Sequence, residues 1–327
     1  MILGQRAWIK TAVLSLAFMT ALASWSYART VEIFPGTDVF GPAAQNLQAG
    51  DTLIVHQGTY FETQRVSIQA QGAASAPILI TGADGEARPV ITRPASASLQ
   101  NIINIEGSAR YLTIKGLEII GNGGDGVKMT GVLSFITLED LVIHDVDVGV
   151  NFRSSMDHIT VRRSQIYNTG RDGGTGEGIY VGCNEGMCVV RDSVIENNWI
   201  HDSLPGTTQG DGIEVKAGSH SNVIRDNVIY NRFYPAILVY GTGANPINLV
   251  EGNVVWNSFE GITAISDAIV RNNVVFNSGC GVCSYHHAQV AERKNVTAVH
   301  NTLYDNDDNL YIRRPGADFT LADNTVY

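Results

Sequence analysis

From about residue 111 one apolar position returns along the chain, at Ile119, Ile143, Ile166, Ile200, Ile229, Val255, Val275, Leu303 and Val326. Successive members lie 24, 23, 34, 29, 26, 20, 28 and 23 residues apart. Two residues before most of them stands Ser164, Asn198, Asn227, Asn253, Asn273, Asn301 or Asn324. A ring commonly follows: His144, Tyr167, His201, Tyr230, Trp256, Phe276, Tyr304 and Tyr327. Such periods mark stacked supersecondary units. Each holds three short Val- and Ile-rich runs separated by Gly, Asn or Asp, as at 212–216, 222–225 and 227–230. Runs this short, bounded by turn formers, are strands. Three strands per turn, each pairing with its equivalent one turn on, predict an all-β fold, a right-handed parallel β-helix. The recurring Asn is expected to stack as an amide ladder inside the turns, and His144 and His201 to pack in the ring file.

Residues 29–110 continue the style, with Thr52-Leu53-Ile54-Val55, Val66-Ser67-Ile68 and Ile78-Leu79-Ile80. A single domain over 29–327 is expected. The last strand stops at Tyr327 without the polar cap that solenoid ends normally carry, so a further segment or a partner is expected there. The oligomeric state stays open.

The first strand of each turn aligns on a Gly-apolar-x-apolar-x pattern: 126–130, 149–153, 178–182, 212–216, 236–240, 261–265, 281–285 and 309–313. Alternation turns Val127, Val150, Ile179, Ile213, Ile237, Ile262, Val282 and Leu310 inward. Two files are left facing solvent. One reads Lys128, Asn151, Tyr180, Glu214, Leu238, Thr263, Cys283, Tyr311; the other Thr130, Arg153, Gly182, Lys216, Tyr240, Ile265, Tyr285, Arg313. Neighbouring turns are about 4.8 Å apart, which sets Tyr240 and Glu214 beside Lys216 and Arg153 about 10 Å away. Glu177 and Asp211 precede this strand on consecutive turns. The two longest periods carry insertions at 170–176, 182–188 and 203–210. Insertions in solenoids become loops over the functional face, so these should wall in Glu177, Tyr180, Asp211, Glu214 and Lys216.

The chain holds 22 basic and 32 acidic side chains. Residues 1–28 read as a secretory signal peptide: basic Arg6 and Lys10, an apolar stretch over 11–23, then Ser26-Tyr27-Ala28 as a cleavage site. The remainder carries 20 basic against 32 acidic groups, a formal −12, which argues against nucleic acid as a partner. No other run approaches the roughly 18 apolar residues of a membrane span. Export makes the protein secreted or periplasmic and permits disulfides. Cys183 and Cys188 bracket a short loop and are expected to pair. Cys280 and Cys283 are open as thiols, as a pair, or as half of a four-cysteine zinc site.

The segment Asp211-Gly212-Ile213-Glu214-Val215-Lys216, followed by Ser221-Asn222-Val223-Ile224-Arg225-Asp226-Asn227, resembles the alginate lyase and chondroitinase B group of β-helical polysaccharide lyases. Ala49-Gly50-Asp51-Thr52-Leu53 is similar as well. The motif-level likeness covers roughly 209–256. It implies a uronate-containing polysaccharide cleaved by β-elimination, with Lys216 as general base and carboxylate-bound calcium neutralising the uronate. That group's assisting arginine falls on Tyr240 or Val239 here. Its upstream Glu-x-Glu pair falls on Gln209 and Asp211, with Glu177 placed to restore a carboxylate, so Asp211 and Glu177 are the implied calcium ligands.

The expected catalytic set is Lys216, Tyr240, Arg153 and Glu214, and the substrate-binding set is Tyr180, Tyr285, Arg313 and Asn151. Tyr240 could serve as base or acid with Lys216 stabilising the anion, a scheme equally usable by a uronate C5-epimerase. Two other classes remain: a glycoside hydrolase using Glu177 with Asp211, a spacing that suits a retaining geometry, and a non-catalytic carbohydrate-binding solenoid. His286 and His287 follow the outward file but lie three turns from Lys216, about 14 Å in register.

Overall fold

The structure is a computed structural model that describes residues 28–98, 100–289, 294–313 and 317–327. The signal peptide expected over 1–28 lies, apart from Ala28, outside the described residues. Each turn gives one strand to each of three parallel sheets, of 13, 10 and 11 strands among the described residues.

The recurring apolar file forms the core of the 11-stranded sheet. Ile119, Ile143, Ile166, Ile200, Ile229, Val255, Val275, Leu303 and Val326 pair one to the next in that order. Burial of this column, open to solvent only at its last member Val326, and of its two counterparts is the main driving force for the coil. Outside it the rings from His144 to Tyr304 stack face to face at 4.3–5.7 Å between centroids. Asn198, Asn227, Asn253, Asn273 and Asn301 each donate one amide N–H to the next side-chain oxygen and one to a backbone carbonyl. A second, shorter ladder runs Ser193, Asn222, Asn248. The bend before the main ladder needs a left-handed residue, supplied by Asp140, Asn197, Asp226 and Asn272 at φ 50–56°, residue types that tolerate that conformation.

An element absent from the strand pattern stands near the start. The helix Phe40–Gln45 buries Phe40 and Ala44 in the core, and the Glu62 carboxylate accepts the N–H groups of Phe40 and Gly41. Cys183 and Cys188 are joined as expected, and Cys280 and Cys283 are joined too. With all four cysteines in disulfides, a zinc site from them is ruled out. Among the described residues no helix is long and apolar enough to cross a membrane.

The 10-stranded sheet carries the aligned first strands. Lys128, Asn151, Tyr180, Glu214, Leu238, Thr263, Cys283 and Tyr311 pair successively, as the alignment requires. The glycine opening six of these eight strands permits close stacking. A Cβ at Gly178 would lie 2.5 Å from the Gly212 carbonyl oxygen, and one at Gly212 would lie 2.3 Å from that of Ala236. This tight approach fixes the backbone immediately after Glu177 and Asp211.

Candidate active site

Lys216, Glu214 and Tyr240 meet on one face, as their strand positions dictate. The Lys216 ammonium pairs with Glu214 and lies over two phenol rings, 5.0 Å from the centroid of Tyr180 and 5.1 Å from that of Tyr240. Arg153 covers Tyr180 at 5.1 Å, so lysine and arginine share one ring two turns apart. Glu177, Asp211 and Glu214 each present an oxygen within 4.8 Å of the others. Of these groups, Asp211, Glu214, Lys216 and Tyr240 border a cavity of about 260 Å³, whose wall also includes Tyr234, Leu238, Tyr285, His287 and Gln289.

The expectation of solvent-facing files is corrected here. Lys216, Glu214, Asp211 and Glu177 are 1–3% exposed, and Tyr180 and Tyr240 are buried as well. They point away from the coil's core, but the insertions and the 285–289 segment close over them. Tyr180 donates its hydroxyl hydrogen to Asn184 in the disulfide-pinned loop. The Glu185 N–H of that loop reaches the Gln289 side chain at 3.4 Å. A surface ion pair at Lys216 is therefore excluded. Tyr180 and Tyr240 turn their faces to cations instead of serving as exposed sugar platforms. Asn151 is also buried and donates to Asp125 at 2.9 Å.

Register alone also misplaces His287. The chain turns back after the strand Cys280–Ser284, bringing the imidazole Nε2 to 3.3 Å from the Tyr240 hydroxyl. The Gln289 N–H donates to His287 Nδ1, which assigns the ring proton of the neutral imidazole to Nε2, facing Tyr240. Burial lowers the His287 pKa, and Lys216 adds to the effect. The signal available in sequence was the His286-His287 pair directly after an outward strand.

Arg232 was missed altogether. It is wholly buried and donates to the carbonyls of Gly176, Gly210 and Asp211 and to the Thr169 hydroxyl. It thereby ties the ends of two inserted loops to the carboxylates that follow them. Burial pushes its pKa down to about 10. The next two turns carry Ser258 and Ser278 at its position, and that break in a polar file was its sequence signal. Tyr285 donates to Glu260 at 2.9 Å. It also borders, with His286, Tyr311 and Arg313, a second cavity of about 480 Å³ further along the same sheet.

Burial raises the pKa of Glu177, Asp211 and Glu214; repulsion within the cluster adds to it for Glu177 and Asp211, whereas Lys216 opposes it at Glu214. Burial and the Glu214 and Asp211 charges raise that of Tyr240, keeping its phenol protonated. Asp211 Oδ1 and Glu214 Oε2 are buried without a hydrogen-bond partner. Oxygens about 2.4 Å from one calcium ion can stand up to about 4.8 Å apart, so these carboxylates fit a divalent cation, with Glu214 joining the Asp211 and Glu177 pair. Calcium is expected to raise the thermal midpoint saturably, by about 2.7 kcal/mol of stability at 100 times its Kd. Calorimetry of Asp211→Ala should show that response abolished.

One turn back, burial and then the Asp125 charge lift Asp147 to about 6. A raised carboxyl stabilises the fold fully below its unfolded value near 4, and the contribution fades as pH rises through about 6. Asp147→Asn keeps the oxygen that accepts the Gly176 N–H. Melting curves from about pH 4 to 7 should therefore fall less steeply for this variant; an identical slope would contradict the assignment.

A family described as "right handed beta helix region" matches residues 95–248. The chain is a right-handed parallel β-helix. Among solved structures this β-helix is similar to an alginate lyase from Paenibacillus sp. str. FPU-7, at 22% identity and TM-score 0.58, covering 90% of this chain and 99% of that one. It is similar to the pectate lyase Pel9A at 14% identity and TM-score 0.65, covering 90% and 79%. A GH136 lacto-N-biosidase from Eubacterium ramulus matches at 16% identity and TM-score 0.57, covering 88% and 64%. At these identities the likeness is one of fold. No curated protein matches this β-helix in sequence.

Proposed function

We propose that the protein is an exported polysaccharide lyase that cleaves a uronate-containing polysaccharide by β-elimination. The observation that carries this reading is Lys216, set between two phenols in the wall of a cavity and adjoining a carboxylate cluster able to hold a cation. A cavity of about 260 Å³ is at the small end for ligand sites and suits one sugar ring. The likeness in fold to an alginate lyase and a pectate lyase supports the substrate class. Two disulfides support an oxidising compartment.

In this scheme Lys216 first passes its ammonium proton to Glu214, its ion-pair partner, and the resulting amine takes the proton from C5 of the uronate. The C5–H electron pair becomes the C4–C5 double bond as the bond from C4 to the glycosidic oxygen breaks. The departing oxygen takes the phenolic proton of Tyr240, whose raised pKa keeps that proton available. The Lys216 ammonium then returns a proton to the Tyr240 phenolate, so the net transfer runs from C5 to the leaving oxygen. A divalent cation on Glu177, Asp211 and Glu214 would supply charge that neutralises the uronate carboxylate. Arg153 over Tyr180 adds positive charge on one side of the lysine, and Tyr285 and Arg313 extend the binding face toward the C-terminal turns.

One observation favours a second reading. Glu177 and Asp211 approach closely enough for retaining glycoside hydrolysis, on a fold shared with a lacto-N-biosidase. Incubation with alginate, pectate and glycosaminoglycans, with and without chelator, separates the two. Absorbance of the unsaturated product is expected on one of them. Reducing ends released without that absorbance would replace the lyase reading by hydrolysis.

A further inference from the structure

Beside the catalytic cavity three large aromatic side chains stand in solvent. Phe233, Tyr234 and Phe259 are 49%, 43% and 63% exposed, on a protein whose other rings mostly stack against one another. Tyr234 is part of the cavity wall with Lys216. Its ring lies 6.2 Å from that of Phe259 at an interplanar angle of 35°, forming a shallow V. Phe233 and Phe259 line an adjoining cavity of about 430 Å³ whose rim is polar, with Asp202, Asn231 and Asn257. The two cavities thus meet along the Tyr234–Phe259 pair.

These rings are not part of the scaffold's repeat. Phe259 donates its N–H to the Arg232 carbonyl, and Gly279 donates equivalently to Ser258 one turn later, so glycine serves where Phe259 stands. The neighbouring ring file from His144 to Tyr304 spends its faces on internal stacking. The Phe259 side chain, by contrast, is largely open to solvent. An apolar face left open beside amide and carboxylate groups matches the two chemistries of a sugar ring, whose C–H face stacks on aromatics while its hydroxyls need hydrogen bonds.

We propose that Tyr234 and Phe259, flanked by Phe233, form a stacking subsite for a pyranose unit of the polysaccharide next to the unit held in the Lys216 cavity. The proposal rests on the reading of that cavity as a polysaccharide site and adds where the chain runs. Substrate crosses the turn at 231–235 instead of lying only along the sheet.

The test is calorimetric binding of acidic and neutral disaccharides and tetrasaccharides to wild type and to the slow Lys216→Ala protein, then to Lys216→Ala carrying Phe259→Ala or Tyr234→Ala. The affinities of tetrasaccharide and disaccharide, both long enough to span the two units, are expected to fall about three- to tenfold in the aromatic variants, with the thermal midpoint unchanged for Phe259→Ala. Equal tetrasaccharide affinities would overturn the proposal. So would a failure of wild type and Lys216→Ala to bind any of the sugars, or a change in self-association on sedimentation with sugar affinity intact. If affinity falls as expected while wild type never forms an unsaturated product, the elimination reading fails and the subsite stands.

Discussion

Lys216→Ala is expected to lower turnover on the preferred uronate polymer by about 10³-fold or more, within the range that a positioned acid–base group supplies. Lys216 is 3% exposed and its ammonium is paired with Glu214, so its removal deletes the cation lying over both phenols without opening the coil. Glu214 then loses its cation and takes up a proton, because burial already raises its pKa. Lys216→Arg distinguishes a base from a fixed charge: the guanidinium keeps the charge, but it stays protonated and cannot accept the C5 proton. Both variants should retain near-wild-type circular dichroism while product absorbance is lost. Substantial turnover by Lys216→Arg would reassign the lysine to electrostatic stabilisation, and wild-type turnover by Lys216→Ala would remove it from the reaction.

The largest effect on stability is expected from Asn253→Ala, in the middle of the ladder. Asn253 is 0% exposed. Its oxygen accepts both the backbone and side-chain N–H of Asn227, and its amide serves the Ile224 carbonyl and Asn273. Truncation strands two donors and one acceptor at a bend that water enters poorly. Each stranded buried group costs about 1–3 kcal/mol, so a loss of about 3–5 kcal/mol is expected, a large part of a typical domain's stability. A denaturant midpoint reads this directly. Gln48→Ala is the control: that side chain is exposed and its backbone is not left-handed, and its loss should shift the midpoint by less than about 0.5 kcal/mol. Equal midpoints for Asn253→Ala and wild type would show the ladder to be dispensable.

Reading outward files from the strands located Lys216, Glu214 and Tyr240 because each turn pairs in register with the next. Alternation fixed which side of the sheet they leave, and the Gly before each strand set Glu177 and Asp211 beside them. The same reasoning put His287 three turns away, because it counted turns and could not follow the 285–289 segment as it folded back. It passed over Arg232 because a buried arginine in a turn looks like any exposed one until the carbonyls around it are known. It took Cys280 and Cys283 as open because an i, i+3 spacing in a strand does not announce pairing.

By itself the sequence determined the coil, the three sheets, the amide and ring ladders, and the ribbon on which the chemistry stands. These depend on contacts repeated once per turn, and repetition writes them into the period and alternation of side chains. Only the tertiary structure decided that the ribbon is roofed over, that His287 meets Tyr240, that Arg232 ties the inserted loops to the carboxylates, and that burial raises the pKa of those carboxylates. Such features arise from single, non-repeating contacts between distant segments. Their electrostatics follow from how much water those segments exclude, a property that no local pattern of residues records.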